Sequence, residues 1–404
     1  MQDKPYLKRG EPDYRNAAIA LFAAGFATFA LLYSVQPLLP LFSITFGVTP
    51  AASSLAVSAA TIGVAASLIL VGALSDRLGR KPLMAFAQLS VVACTLGVAL
   101  APNWNSLLAL RFISGVALSG VPAVAMAYLA EEVEPESLGS VMGLYVAGNA
   151  VGGMAGRLLT GLLADATGSW RYAIAIIGVL GLLAALVFIR FLPPSRRFQP
   201  AAAGRLGSHL RGIAALFRDG LLPWIFVCGF LLMGGFVALF NIMGYRLTGP
   251  PYGLSNSAVG AVFLVYLIGA PVSAGFGWLG DRFGRGPMMA LAAAVMLCGL
   301  LLTLPGALWL IVLGLAMITG GFFGAHALAS AWAGSRSPAA RGLASSLYLF
   351  FYYLGPGLFG AWAGRLWSQH GWLGVAALIG GMNALLLAIV LISPLGRSRP
   401  ANAP

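Results

Sequence analysis

The chain has 404 residues, of which 59% are hydrophobic and 9% charged, and its mean hydropathy is +0.90. Because a soluble globular protein carries about 25% charged residues, this composition excludes a water-soluble domain and indicates a protein embedded in a lipid bilayer. The formal net charge is +13, but the basic residues lie in short loops between apolar runs, so we expect membrane lipid as a partner and no nucleic acid.

Twelve apolar runs, each long enough for a helix that crosses the bilayer, follow a polar tail at residues 1–16. They are longer and more continuously apolar than the alternating strands of a membrane barrel, so we predict an all-α integral membrane protein. The first run is longer than a signal-peptide core, and we expect it to stay as an uncleaved span. The predicted spans are residues 17–39, 51–74, 83–101, 106–130, 139–163, 171–192, 221–243, 257–279, 288–304, 308–332, 342–366 and 372–394.

The longest connector, residues 193–220, divides the spans into two groups of six, at residues 17–192 and 221–395, and a short tail follows at 396–404. Apolar residues recur in the connector at helical spacing among arginines, a pattern that is typical of an amphipathic helix on the membrane surface. A loosely ordered linker is the alternative. The apolar residues of this pattern are Leu206, Leu210, Ile213 and Phe217.

Most of the 24 Lys and Arg residues fall in alternate connectors, and these include both ends of the chain. Basic residues gather on the cytoplasmic side of membrane proteins. This asymmetry predicts that both termini are cytoplasmic, and it supports an even number of spans.

The second half of the sequence repeats features of the first. The stretch "GALSDRLGRKPLM" at 72–84 returns 205 residues later as "GWLGDRFGRGPMM" at 277–289, each after the second span of its half. A weaker echo joins "GLYVAGNAVGG" at 143–153 to "SLYLFFYYLGP" at 346–356. Two six-span halves in the same orientation predict parallel structural repeats, with a substrate path at their interface.

The pattern G-x-L-x-D-R-x-G-R-K after the second span resembles the signature loop of the major facilitator superfamily. Arg111 in "LLALRFISG" resembles the arginine motif in that family's fourth span, and "GNAVGGMAGR" at 148–157 resembles the fifth-span glycine motif of its drug–proton antiporter branch. The resemblance covers about the whole chain and is greatest to efflux-type transporters labelled arabinose-efflux-like. It implies the major facilitator fold, alternating access and a place in the bacterial inner membrane.

Some residues depart from the family pattern. Gly152 and Gly153 stand where the fifth-span motif usually has Gly-Pro, and Arg157 replaces a glycine. Many proton-coupled relatives carry an acidic residue deep in the first or fourth span, and the first span here has none. We therefore expect the proton carrier to be another ionisable residue inside the spans.

Ionisable side chains inside a span are costly and are functional candidates by default. Arg111 could hold an anionic substrate or a coupling carboxylate, or could extend to the interface. Arg157 could face a cavity or reach toward Asp165. His326 could carry a proton or pack as a neutral residue. Glu131 is the acidic candidate for gating, with a solvated helix end as the alternative.

Neutral polar and aromatic residues at similar depth complete the predicted cavity. An aromatic cavity with few hydrogen-bonding groups suits an amphipathic organic solute, although packing between helices is the alternative for each residue. The candidates are Tyr33, Gln36, Asn149, Asn241, Tyr266, Tyr348 and Tyr352.

The repeated charged loop is predicted to act as a gate. If the two halves rock, contacts on the cytoplasmic side must close in one state and release in the other. Asp76 can pair with arginines of its own loop or cap a helix of the other half. The predicted gate residues are Gly72, Asp76, Arg77, Gly79, Arg80, Lys81, Asp281, Arg282 and Arg285.

These features predict a secondary active transporter of a small organic solute (a drug, metabolite or sugar) that works by proton-coupled efflux. An uncoupled facilitator or importer of a small organic anion is the alternative. The sequence shows no nucleophile–base pair, metal-ligand cluster or phosphate-binding loop, so we expect no enzymatic activity, metal or cofactor, and the proton gradient as driving force. We expect a monomer.

Overall fold

The computed structural model of the protein describes residues 6–198, 206–337 and 340–397. Within these ranges the regular secondary structure is helical, apart from one isolated bridge between Leu7 and Val133. The prediction of an all-α fold is confirmed.

Eight helices form the first half of the chain, between the N-terminal tail and the long connector. They are α1 (Pro12–Tyr33), α2 (Leu39–Phe46), α3 (Pro50–Leu78), α4 (Arg80–Ala99), α5 (Trp104–Leu118), α6 (Pro122–Glu132), α7 (Pro135–Thr167) and α8 (Trp170–Phe191).

The described part of the connector contains one α-helix, and the described part of the second half contains six. They are α9 (Leu206–Phe217), α10 (Leu222–Thr248), α11 (Asn256–Val262), α12 (Gly269–Phe283), α13 (Arg285–Leu302), α14 (Leu308–Arg336) and α15 (Arg341–Ile392).

Ten described segments are long and apolar enough to cross a membrane. The count reaches twelve because α5 and α6 together form the fourth span, and because α15 contains two spans. The helical path of α15 breaks at Gly371, whose φ of 58° lies in the left-handed region that glycine adopts without strain. The fold is therefore twelve transmembrane helices in two six-helix halves, as predicted.

Three spans are interrupted, which their continuous apolar sequence does not predict. A 3₁₀ turn at Gln36–Leu38 joins α1 to α2, residues 119–121 separate α5 from α6, and a 3₁₀ segment at Phe263–Ile268 joins α11 to α12. Pro37 and Pro122 stand at the start of the segments that continue the first and fourth spans. Proline lacks an N–H and is tolerated in the first turn of a helix but not in its interior, so both spans restart at these positions.

Consecutive spans alternate in direction, which defines two faces of the bundle. We call the side that holds Pro12, Phe191, Leu222 and Ile392 the terminal face, and the side that holds Thr167 the opposite face. Each charged loop of the repeat lies at the terminal face.

The two halves pack together toward the opposite face. There α3 packs on the first part of α15, and α7 packs on α11. A Cβ atom on Gly364 of α15 would lie 2.6 Å from Cα of Ala51, so only glycine permits this approach of the two backbones. Near the terminal face, by contrast, no neighbouring helix lies within 4 Å of the position that a Cβ would take on Gly139 or Gly143 of α7. The halves are therefore closed at the opposite face.

Candidate functional site

Arg157 of α7 is the centre of a group of side chains that both halves contribute. It is 2% exposed, its Nε donates to Oε1 of Gln36 at 2.6 Å, and its Nη1 donates to the carbonyl oxygen of Gly153 at 2.6 Å. The guanidinium carbon lies 4.2 Å from the ring centroid of Tyr33 and 4.8 Å from that of Tyr266. Aromatic faces attract a cation, and more strongly where water is excluded. We call Arg157, Gln36, Tyr33, Tyr266, Phe263 and Asn241 the arginine cluster.

Gln36 connects this cluster across the interface between the halves. Its Oε1 accepts from Arg157, while its Nε2 donates to Oδ1 of Asn241 on α10 at 2.7 Å. Gln36 lies in the 3₁₀ turn between α1 and α2, where the interruption of the span directs its amide toward α7 and α10. One amide therefore joins three spans of two halves.

The glycines of α7 explain why Arg157 lies so close to the first span. A Cβ atom on Gly152 would collide with the backbone of Phe26, and one on Gly156 would lie 2.6 Å from Cα of Ala30. Close backbone packing of this kind is a common way for membrane helices to associate. This close packing places Arg157, which replaces a glycine of the family motif, in the interior of the protein.

A second group surrounds His326 of α14. Its Nδ1 lies 2.8 Å from the hydroxyl oxygen of Tyr348, and its ring centroid lies 4.6 Å from that of Tyr352. Phe322 stacks on the imidazole with an interplanar angle of 4°. Which atom donates between His326 and Tyr348 depends on the tautomer of the imidazole. We call these four residues the histidine cluster.

Stacked aromatic rings connect the two clusters. Phe236 of α10 stacks on Phe322 at 3.8 Å between ring centroids, and its other neighbours include Tyr266 at 5.4 Å. Arg157 stands ten residues from the end of α7 at the opposite face, which is about 15 Å at 1.5 Å per residue, whereas His326 stands ten residues from the end of α14 at the terminal face. The clusters thus lie at different depths and are joined by contacts between aromatic rings.

Arg111 is placed differently from Arg157, although both are buried. Its Nε donates to the carbonyl oxygen of Ala56 at 2.8 Å, its Nη1 to that of Leu31 at 3.2 Å, and its Nη2 to that of Leu32. All three acceptors belong to the first half, so the guanidinium ties α5 to α1 and α3. This geometry favours a structural role for Arg111 over contact with substrate.

Asn149 also lies apart from the arginine cluster. It is two turns nearer the terminal face on α7 and packs against α1, where a Cβ atom on Gly25 would meet its Oδ1. Among the predicted cavity residues, the structure therefore groups Tyr33, Gln36 and Tyr266 with Arg157 and Asn241, and groups Tyr348 and Tyr352 with His326.

The first charged loop is closed by a network within its own half. Asp76 pairs with Arg80 at 2.6 Å between Oδ1 and Nη1. Arg80 also donates from Nη2 and Nε to the two carboxylate oxygens of Glu131, at 2.6 and 3.1 Å. Asp76 was predicted to pair with an arginine of its own loop or to cap a helix of the other half. The structure shows the first of these two arrangements. Lys81 donates to the carbonyl oxygen of Leu192 at the end of α8, while Arg77 is exposed.

The second charged loop has the same backbone but another set of partners. Gly79 and Gly284 both have a φ of 92°, a conformation open to glycine, so the turn itself is repeated. Arg285 donates to Oγ of Ser335 at 2.8 Å, while Asp281 is exposed. Of the other predicted gate residues, Gly72 lies six residues before the end of α3, and Arg282 lies in the last turn of α12.

Near the matching end of the tenth span, the second half carries Arg336 instead of an acidic residue. It ends α14 and pairs with Asp219 in the loop before α10, at 3.1 Å between Nε and Oδ2. The networks of the two halves have therefore diverged, because Arg80 pairs with Glu131 whereas Arg285 donates to the neutral Ser335.

Sequence reasoning missed the role of Asp165 at the end of α7. Its carboxylate accepts from the backbone N–H and side chain of Asn256 and from those of Ser257, at 2.6 to 3.3 Å. Asp165 of the first half thus caps the N-terminus of α11 in the second half at the opposite face. The run "SNS" at 255–257 signals a helix start, but no local pattern identifies the partner across the interface.

Similarity to known proteins extends over nearly the whole chain. Residues 21–276 match the family model described as Major Facilitator Superfamily. The chain is 45% identical over 395 residues to the Uncharacterized MFS-type transporter YybF of Bacillus subtilis (strain 168), over 97% of this chain and 96% of that protein. It is 46% identical over 391 residues to the Inner membrane transport protein YnfM of Escherichia coli (strain K12), over 97% of this chain and 92% of that protein.

Solved structures share the fold at low sequence identity. The nucleoside transporter NupG matches with a TM-score of 0.73 and 15% identity, over 93% of this chain and 98% of that one. A bacterial homolog of the human lysosomal transporter Spinster, in an inward-facing and occupied conformation, matches with a TM-score of 0.75 and 16% identity, over 96% and 98%. At these identities the likeness concerns the fold alone.

Proposed function

Because the chain belongs to the major facilitator superfamily and is a multi-pass membrane transporter, we propose that it exports a small organic solute across the bacterial inner membrane in exchange for protons. The observation that carries the proposal is the run of contacts from the arginine cluster, where the halves meet, to the histidine cluster at another depth; we take these residues to line the path of the solute. Transporters built from repeats bind substrate where the repeats meet, near the middle of the membrane.

Alternating access needs two states, and the described contacts correspond to one of them. Hydrogen bonds between the halves at the opposite face include those of Asp165 and that of Ser43 to Tyr245, at 2.6 Å between hydroxyl oxygens. With the basic connectors in the cytoplasm, the terminal face is cytoplasmic. The state closed at the opposite face is then the inward-facing one, ready to receive a solute from the cytoplasm.

His326 is the proposed proton carrier. An imidazole exchanges a proton near neutral pH, and each of the ten acidic residues that the structure describes lies near an end of a span or outside the spans. Protonation of His326 alters its bond to Tyr348 and its stacking on Tyr352. These residues lie on α14 and α15, both of which line the proposed path.

The proposal is tested in inside-out vesicles with an acidic interior, which present the cytoplasmic face to the medium. A transported solute from a metabolite and drug library should enter the vesicles and discharge the pH gradient. His326→Gln should retain exchange of labelled for unlabelled solute but lose the pH discharge, whereas His370→Gln, at an exposed position, should retain both.

Two results would contradict the proposal. If the unmodified protein carries net solute into the vesicles without discharging the pH gradient, the protein is the uncoupled facilitator instead. If His326→Gln discharges the gradient as fast as the unmodified protein, another group carries the proton.

A further inference from the structure

The positive charge of Arg157 has no carboxylate beside it among the described residues. Asp165, the nearest acidic residue along α7, lies two turns away and accepts four hydrogen bonds from the start of α11. The other acidic residues lie at or beyond the ends of the spans. A buried cation without a counter-charge is costly, and in membrane proteins it marks a functional site.

The hydrogen-bonding capacity of Arg157 is also only partly used. Its Nε and Nη1 each donate one bond, and Nη2 has no hydrogen-bond partner among the residues that the structure describes. The hydroxyl group of Tyr33, whose ring lies against the guanidinium, is buried and likewise has no partner there. Arg111 shows the contrast, because all three of its nitrogens donate to backbone carbonyls.

The surroundings of the guanidinium are aromatic. The rings of Tyr33, Tyr266 and Phe263 lie 4.2 to 5.0 Å from its central carbon. Beyond Tyr266, the path continues along Phe236 and Phe322 toward the histidine cluster. A ligand with one charged end at Arg157 would therefore lay an apolar body against these rings.

From this geometry we infer that the substrate class is a small organic monocarboxylate with an apolar or aromatic body. Its carboxylate binds Nη2 of Arg157 and the hydroxyl group of Tyr33, and supplies the counter-charge that the cluster lacks. A single charge is expected because one guanidinium in the cluster is available, while Arg111 is bound to its own half. The inference rests on the proposed function only in taking the arginine cluster as the substrate site.

The test measures binding, independently of transport. Thermal unfolding of the purified full-length protein in detergent is followed with aromatic and aliphatic monocarboxylates, each paired with its neutral amide, starting from benzoate and benzamide. A ligand that binds the folded state raises the unfolding temperature with its concentration. At least one carboxylate should bind about tenfold or more tightly than its amide, since a site with buried donors discriminates strongly.

Variants assign the effect to one side chain. Arg157→Gln should lose the carboxylate preference, and Arg157→Lys, which keeps the charge but not the planar fork, should retain part of it. Arg365→Gln removes the same charge from an exposed position near the end of a span and should bind like the unmodified protein. Unfolding of each variant without ligand shows whether it is folded.

The outcomes separate this inference from the proposed function. If no carboxylate is preferred over its amide, or if folded Arg157→Gln keeps the preference, the inference is overturned, and export in exchange for protons can still be observed with neutral solutes. If carboxylates are preferred through Arg157 but cause no pH discharge in vesicles, the inference stands and the proposed coupling fails.

Discussion

Gln36 illustrates how much one residue decides at the arginine cluster. Its carbonyl oxygen accepts from Arg157 and its amide nitrogen donates to Asn241, so it fixes the guanidinium and joins the halves with a single side chain. Glutamate has the same shape as glutamine but carries a negative charge, which makes this position a direct probe of the charge in the cluster.

We predict that Gln36→Glu blocks carboxylate binding while it stabilises the protein. The new carboxylate would lie 2.6 Å from Nε of Arg157, where Oε1 of Gln36 lies now, and would neutralise the buried cation. The unfolding temperature should be higher than that of the unmodified protein. Addition of benzoate, or of another carboxylate that binds the unmodified protein, should not raise it further. Gln36→Met, with neither charge nor acceptor, should instead lower stability, and a Gln36→Glu variant that still responds to carboxylates would contradict the prediction.

Asp165 is another residue that links the halves, in this case through a charged carboxylate. We predict that Asp165→Ala weakens the state closed at the opposite face by about 1 kcal/mol, the usual value of a helix cap, which changes the population ratio roughly fivefold. The distance is measured between spin labels at Pro102 and Gln369, which are exposed residues of different halves at that face, in a protein from which the native cysteines have been removed. In this background Asp165→Ala should give fewer short distances. Glu136→Ala, at an exposed position of the terminal face, is the control, and an unchanged distance distribution in Asp165→Ala would argue against the cap.

At the scale of helices, the network around Arg80 binds α3, α4 and α6 together. Arg80 has a side-chain exposure of 9%, while Glu131 has 31% and Asp76 has 48%. The energetic centre of the network is therefore the bond between Arg80 and Glu131, and Asp76 is its more solvated arm.

We predict that Glu131→Gln lowers the free energy of unfolding by about 2 kcal/mol, because it removes the charge that holds a nearly buried guanidinium. Asp76→Asn should cost less, since water screens its ion pair and Arg80 keeps its other partner. Unfolding in increasing SDS measures both values, with Glu136→Gln at an exposed position as the control. An equal loss for Asp76→Asn and Glu131→Gln would show that the network is not ordered in this way.

The helices were predictable because a bilayer demands about 20 apolar residues for each crossing. Most helices run several residues past the apolar runs, as α7 does from Pro135 to Thr167, since a helix keeps its backbone bonded on entering the polar interface. The interruption at Gln36 was not predicted. Its neighbour Pro37 is compatible both with a kink and with a restart of the helix, and packing against the other half decides between them.

The arginine cluster was only partly predictable. Its members could be named as polar residues at suitable depth, but Gln36 and Arg157 are 121 positions apart, and which faces meet depends on how the halves dock. Arg111 shows the limit most clearly. The family motif favoured contact with substrate, whereas its guanidinium donates to three nearby backbone carbonyls. No sequence pattern predicts these partners.

At the scale of the whole molecule, the connector is fastened to the second half by Asp219. Its Oδ1 accepts from the N–H groups of Leu221 and Leu222 at the start of α10, and its carboxylate pairs with Arg336 at the end of α14. Partial burial opposes ionisation of Asp219, but the amides of Leu222 and Leu221 and the charge of Arg336 outweigh it and lower the pKa of this carboxyl.

The lowered pKa gives a pH dependence with a definite sign. A carboxyl whose pKa is lower in the folded state stabilises the fold above its unfolded pKa, and this stabilisation is lost as the pH falls through the folded value. We predict that Asp219→Ala costs about 1 kcal/mol at pH 7 and at pH 5, and that the difference from the unmodified protein shrinks only below pH 3.8, the ordinary value. Unfolding measured at pH 7, 5 and 3 checks this, and a difference that is already lost at pH 5 would contradict it.

The different networks at the terminal face of the two halves have a consequence for how the chain is made. During synthesis the first half emerges before the second, and the network of Asp76, Arg80 and Glu131 can close as soon as α6 has left the ribosome. Arg336 finds its partner Asp219 earlier in the chain as well. Both networks at the terminal face can therefore form as soon as their last residue has been synthesised. Each half can thus be stabilised on this side before the two halves dock.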